Sequence, residues 1–145
     1  MADRVIATGP MTDAGLTRVA IDVPALIELV SSPADGAVAT FTGIVRDNQD
    51  GRAVRHLEYE AHEAMALAMM ERLAGEARQR FGVSRAVLHH RLGRLEIGEV
   101  SVAIAVASPH RAEAIAACQW LIDTLKAEVP IFKKEYFSDG EAWVE

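Results

Sequence analysis

Residues 100–107 alternate strictly. Val100, Val102, Ile104 and Val106 fall on one side, and Ser101, Ala103, Ala105 and Ala107 fall on the other. A period of two places successive side chains on opposite faces of a strand, so this stretch predicts a strand with one bulky and one small face. The small face lets a helix lie close to the sheet. Segments 37–45 (AVATFTGIV), 53–60 (AVRHLEYE) and 84–92 (SRAVLHHRL) also read as strands, with a short piece, RLEI, between Gly93 and Gly98. The first two predict a hairpin around a mobile loop, 46–52, punctuated by Asp50-Gly51. A period near 3.6 appears twice. Ala66, Met69/Met70, Leu73, Ala77 and Phe81 predict a helix over 61–81, stopped by Gly82. Ile115, Cys118, Ile122, Leu125 and Val129 predict the buried stripe of a second long helix. It starts near Ser108, with Ser108 as cap and Pro109 in the first turn, and ends before Pro130. A short helix is predicted over 24–31 behind Pro24. Residues 131–137 (IFKKEYF) read as a strand, Asp139-Gly140 as a turn, and AWVE closes the chain. The first fifteen residues, small and polar, predict a loose segment. Strands, helix, strands, helix, strands make an α+β class: a mostly antiparallel sheet with two long helices packed on it, as one domain over 1–145.

Composition narrows the function. The 145 residues are 50% apolar, enough for a sizeable core. Fifteen basic against twenty-one acidic residues give a net charge of −6, which excludes a broadly basic nucleic-acid binder. The single cysteine, Cys118, can form neither an internal disulfide nor a cysteine zinc site, and on an apolar stripe it reads as a buried structural thiol. No apolar run reaches bilayer length, and the N-terminus lacks a basic segment leading into an apolar one. A cytoplasmic protein is therefore expected. His89 and His90 point to opposite strand faces, and no ligand spacing or phosphate-binding glycine fingerprint occurs, so neither a metal nor a bound cofactor is expected.

The cations carry the remaining information. Arg46 stands three residues past Gly43. His110-Arg111 opens the second long helix, Lys126 ends it, and Lys133-Lys134 follow Pro130. Brought together, they would make an anion-receptive pocket on an acidic protein. The free N–H groups and dipole of a helix start favour phosphate, which Arg111 could grip with two hydrogen bonds; alternatively Arg111 only pairs with Glu113 or another surface carboxylate. Lys126 either points into water, as last-turn lysines do, or is crowded by Lys133 or Lys134. Crowding would raise its fraction of neutral amine and make it a nucleophile or base. Lys133 and Lys134 point to opposite faces of a strand, so one of them can face a given pocket.

FTGIVRDNQDGRAVRHLEYEAHEAMA, the run from HHRLGRLEIGEV through PIFKKE, and GEAWVE together resemble the large (catalytic) subunit family of molybdopterin synthase. The resemblance covers nearly everything from residue 36 onward and implies an α/β-hammerhead-like fold. It implies an enzyme that converts cyclic pyranopterin monophosphate into molybdopterin by inserting two sulfurs. These arrive as the C-terminal thiocarboxylate of a small ubiquitin-like partner. It also implies a central homodimer within a heterotetramer, with no metal on this chain. Residue by residue, it implies that Lys126 is the main catalytic group and Lys133 assists it. Arg46, His110 and Arg111 would hold the substrate, Lys134 and Glu135 would border it, Ile44 and Val45 would line the approach, and Phe41 would pack there. Two departures stand out. Some relatives continue past Trp-Val-Glu and supply an arginine to the neighbouring pocket, whereas this chain stops at Glu145, so Arg94, Arg80 or another cation would replace it or the pocket would work without it. Phe132 stands where tryptophan is frequent. The competing expectation is a non-catalytic module that holds a phosphorylated metabolite or docks the tail of a ubiquitin-like protein. Arg111 and Lys126 are fifteen residues apart on one predicted helix, roughly 22 Å, which predicts a pocket shared between two copies.

Overall fold

The computed structural model describes residues 13–144. The loose segment expected at the N-terminus lies outside the described residues up to position 12. From Ala14 the chain is instead ordered into a strand. In chain order the elements are β1 (Ala14–Thr17), α1 (Val23–Val30), β2 (Ala37–Ile44), β3 (Asn48–Gln49), β4 (Arg52–Ala61), α2 (Glu63–Phe81), β5 (Arg85–Arg91), β6 (Gly93–Glu96), β7 (Val100–Ser108), α3 (Arg111–Glu128), β8 (Ile131–Phe137) and β9 (Gly140–Val144). The class is mixed α+β, but the described strands form two sheets where one was expected, with three helices. One sheet has the order β1-β5-β7-β2, and the other has the order β3-β4-β8-β9 with β6 also paired to β4. The β1–β5 pair is parallel and the other pairs are antiparallel.

The alternation in β7 works as its chemistry requires. Val102, Ile104 and Val106 face a core built with α2 and α3, whereas Val100, expected on the same side, packs with the second cluster beyond the register shift opposite Gly43/Ile44. Ala103, Ala105 and Ala107 face α1, whose Leu26 and Val30 close a second cluster against them. Small side chains on that face admit the short helix. Asp22 caps it by accepting a hydrogen bond from Ala25 N at 3.1 Å, and Pro24 sits in its first turn. Gly82, at φ 68°, ends α2 in the left-handed conformation.

Three local expectations need correction. First, β2 does not form a hairpin with β4. It runs along β7 from Ala37 opposite Ser108 to Ile44 opposite Val100. The hairpin is β3–β4, closed by Asp50 (φ 51°) and Gly51 (φ 81°), and β3 occupies the segment expected as a loop. Two consecutive positive φ values make the tight turn whose twist matches paired strands. Second, α3 starts at Arg111 with His110 as the cap residue, because Ser108 is committed to the β7 ladder. Third, Ile115 is 58% exposed. The buried stripe of α3 runs instead through Ala114, Ala117, Cys118, Leu121, Ile122 and Leu125, with alanines bringing the first turns against the sheet.

A register shift at Gly43/Ile44 takes the chain out of the first sheet. A Cβ on Gly43 would lie 2.7 Å from Val102 Cγ1, so only glycine lets the strands approach there. Beyond it Val45 is buried with Val54, Leu57, Leu95 and Phe137, in a third cluster belonging to the second sheet. This crossing places Ile44, Val45 and Arg46 at the junction of the two sheets.

Candidate functional site

The junction encloses a cavity of ≈ 310 Å³. Phe41, Gly43 and Ile44 of β2 line it, followed by Val45 and Arg46. Leu57 and Tyr59 come from β4, His90 from β5, and Ser101 and Val102 from β7. The last turns of α3 contribute Ile122, Leu125 and Lys126, and β8 contributes Ile131, Lys133 and Glu135. Pro130 explains how α3 and β8 come to share one wall. The residue before proline avoids the helical region, so Val129 turns extended (φ −81°, ψ 130°) and the strand begins two residues later. Lys126 and Lys133 therefore flank a tight corner.

The second sheet decides which lysine of the pair enters. Residues 133 and 135 share a face of β8, and across the ladder Tyr59 stands opposite Lys133 and Leu57 opposite Glu135. Lys133 Nζ lies 3.1 Å from Glu135 Oε1, and the Glu135 side chain is 2% exposed. Its other oxygen, Oε2, is buried without a hydrogen-bond partner among the described residues. A buried carboxylate demands donors, so this oxygen is an acceptor waiting for one. Lys134 faces the opposite way. It pairs with Glu141 at 2.9 Å and lies over Tyr136 and Trp143. The hydrogen bond to Glu141 holds its ammonium above the usual range. It does not line the cavity.

Polar groups form the cavity's inner wall. Burial raises Tyr59, against the opposing effect of the Ser101 hydroxyl, and the Glu135 carboxylate adds to the rise. Its phenol therefore stays protonated. The Ser101 hydroxyl donates to the Gly43 carbonyl at 3.3 Å. At the mouth, Arg46 Nη2 donates to Gln49 Oε1 at 2.7 Å, and its remaining donors have no partner among the described residues.

Of the residues singled out in the sequence, the fold gathers Ile44, Val45, Arg46, Lys126, Lys133 and Glu135, with Phe41 beside them. His110 and Arg111 sit at the far end of α3, outside the cavity. Both are exposed, and neither has a hydrogen bond or ion pair among the described residues, so the alternative pairing of Arg111 with Glu113 does not form. Arg94 pairs with Glu96 at 3.0 Å and Arg80 lies over Trp120, and neither lines the cavity. Cys118 is buried, which pushes its thiol up to about 11, so it is not a ready sulfur nucleophile. Sequence reasoning missed Tyr59, His90 and Ser101. The parity of His90 with Ala86 and Leu88 on β5 was the signal available for one of them.

A family model described as MoaE protein matches residues 16–128. The chain is 48% identical over 118 residues to the molybdopterin synthase catalytic subunit of Nostoc sp., covering 80% of this chain and 72% of that one. Among solved structures, molybdopterin synthase from Staphylococcus aureus superposes with a TM-score of 0.88 at 33% identity, over 95% of this chain and 99% of that chain. The fold is also shared with a chain in the complex of subunits 1 and 2 of molybdopterin-converting factor from Helicobacter pylori. There the TM-score is 0.75 at 24% identity, covering 91% and 90% of the two chains.

Proposed function

Because the chain belongs to the MoaE protein family, we propose that it is the catalytic subunit of a molybdopterin synthase, a cytoplasmic sulfurtransferase that inserts two sulfurs into cyclic pyranopterin monophosphate. The donor is the thiocarboxylated C-terminus of a small ubiquitin-like subunit. The observation that carries this reading is the meeting of Arg46, Lys126 and Lys133 around one cavity on a chain of net charge −6. On such a surface the local sign reversal concentrates an anionic ligand and steers an anionic tail inward.

The residues divide the work by chemistry. Arg46 has unused guanidinium donors at the mouth, suited to a phosphate or a terminal thiocarboxylate. Ile44, 53% exposed, and Val45 offer apolar surface to the entering tail. The unpartnered Oε2 of Glu135 accepts an N–H from the pterin ring, while Oε1 keeps Lys133 in place. At each insertion the thiocarboxylate sulfur bonds to a side-chain carbon of the pterin as the oxygen on that carbon leaves with a proton; water then attacks the acyl carbon, the acyl C–S bond breaks, and the sulfur stays on the pterin while the partner's terminus returns as a carboxylate. The oxyanion formed at that carbon is offset by the ammonium groups of Lys126 and Lys133, with Lys126 moving the protons. Lys134, on the outer face of β8, serves the site only indirectly, by anchoring β9 through Glu141.

His110 and Arg111 enter this scheme from a second copy of the chain. They lie roughly 22 Å along α3 from Lys126, so a two-fold dimer would bring one copy's helix start to the other's cavity and make two equivalent sites. The test is turnover with a thiocarboxylated small subunit and the cyclic pterin, read by mass spectrometry. A product that has gained two sulfurs is expected. Absence of any sulfurated product with a demonstrably charged partner overturns the reading.

A further inference from the structure

The inner face of β5 carries Ala86 and Leu88 into the core beneath α2 and α3, and the next position on that face is His90. An apolar side chain would be the least costly occupant there, yet the imidazole is 5% exposed and lines the cavity that Lys126 also lines. Its Nδ1 lies 2.7 Å from the Arg91 carbonyl oxygen. A carbonyl oxygen only accepts, so Nδ1 carries a proton and donates it, and the ring's acceptor capacity falls on Nε2. The Tyr59 ring meets the imidazole edge-on, with centroids 4.8 Å apart and planes at 73°, which fixes its tilt. Burial lowers the imidazole most. The Arg91 carbonyl opposes this and the Lys126 charge adds to it, leaving the group at about 4, so at neutral pH the ring is uncharged and Nε2 remains a lone-pair acceptor.

We propose that His90 is a positioning residue for Lys126: its acceptor nitrogen, held in place by the Arg91 carbonyl and the Tyr59 ring, directs the Lys126 amine into the cavity. Lysine needs such a device because its charge rides on a flexible four-carbon stem, and Lys126, although it lines the cavity, is exposed and its side chain has no hydrogen bond or ion pair among the described residues. A fixed dipole on the cavity wall biases that stem without the charge neutralisation that a carboxylate partner would impose. The proposal rests on the reading of Lys126 as the catalytic amine.

The experiment measures steady-state turnover of wild type, Lys126→Ala, His90→Gln and an acceptor-free variant with a saturating thiocarboxylated partner. The acceptor-free variant is His90→Leu or His90→Phe, whichever keeps the wild-type near-ultraviolet circular dichroism. That variant should lower kcat about tenfold to a hundredfold, the expected cost of a misplaced reacting group, with KM for the pterin within about twofold because ground-state contacts lie elsewhere. His90→Gln, whose amide oxygen can stand in for the Nε2 acceptor, should recover most of that loss. A structural role alone would change thermal stability and leave kcat intact. Wild-type kcat in the acceptor-free variant, or no recovery in His90→Gln, overturns the proposal while Lys126→Ala is inactive. If Lys126→Ala itself turns over normally, the reading of Lys126 fails instead.

Discussion

The cations at the two ends of α3 are all exposed, but only the one at the C-terminal end borders a cavity. At the C-terminal end Lys126 borders a walled cavity, with the Lys133–Glu135 pair across the corner and His90 behind. At the N-terminal end His110 and Arg111 stand exposed, with free backbone N–H groups and no side-chain partner among the described residues. A pterin phosphate, on the order of 10 Å long, cannot span the roughly 22 Å between them. The difference teaches that a helix can supply two halves of an anion site without making one itself. On the proposed reading the cavity end does the chemistry, and the other end holds charge for a neighbouring copy.

The sharpest way to break this comparison is to remove the amine at the cavity end. Lys126→Ala should slow product formation by about 10²–10⁴-fold while a pull-down still captures the small subunit. Equal loss of both would make Lys126 a docking residue. Lys126→Arg should stay slow, because guanidinium does not give up its proton at working pH; retained turnover would favour a module that needs charge alone. At the other end, Arg111→Ala removes charge-assisted hydrogen bonds and should lower kcat/KM about tenfold to a hundredfold. Mixing it with Lys126→Ala under conditions of subunit exchange should restore about a quarter of wild-type activity, since half the dimers then hold one intact site. No recovery would place both cations in one copy's site.

Smaller effects sharpen the contrast between the faces of β8. Lys133→Ala strands the buried Glu135 carboxylate and should lower unfolding stability by about 1.5–3 kcal/mol, measured in urea. Lys134→Ala should cost less, because Glu141 is exposed and water replaces the lost pair. A further stability signal is confined to acid pH. His90 sits at about 4 in the folded chain against 6.5 for the free group. Its neutral form is favoured by folding, so this stability is fully present above pH 6.5 and is lost as pH falls through 4. The difference amounts to about 3 kcal/mol at pH 4 and below. A folded, acceptor-free His90 variant should show a flatter stability profile across that window. An unchanged acid limb would mean that His90 opens to water before it titrates.

Element types were legible from local pattern. The span of α2, the C-terminal end of α3 before Pro130 and the alternation of β7 from Val102 onward follow from periodicity and from proline and glycine chemistry acting within a few residues. The pairing of β2 was not legible, because the Asp50-Gly51 turn is equally compatible with a hairpin to either neighbour. The choice was made by Gly43, which lets β2 lie against Val102 and then leave the sheet. Strand parity showed that one of Lys133 and Lys134 could face a pocket. It could not say which, since that depends on which face of β8 the second sheet turns toward the cavity.

The sequence by itself determined the helices and the longer strands, the acidic surface with its scattered cations, and the family motifs, all of which depend on neighbours along the chain; it did not show β1 or β3. The tertiary structure alone decided that Lys133 enters the cavity while Lys134 faces out, that Tyr59, His90 and Ser101 form the wall, and that His110 and Arg111 lie away from it. Those outcomes depend on strand partners far apart in sequence and on the meeting of two sheets, which no short-range pattern encodes.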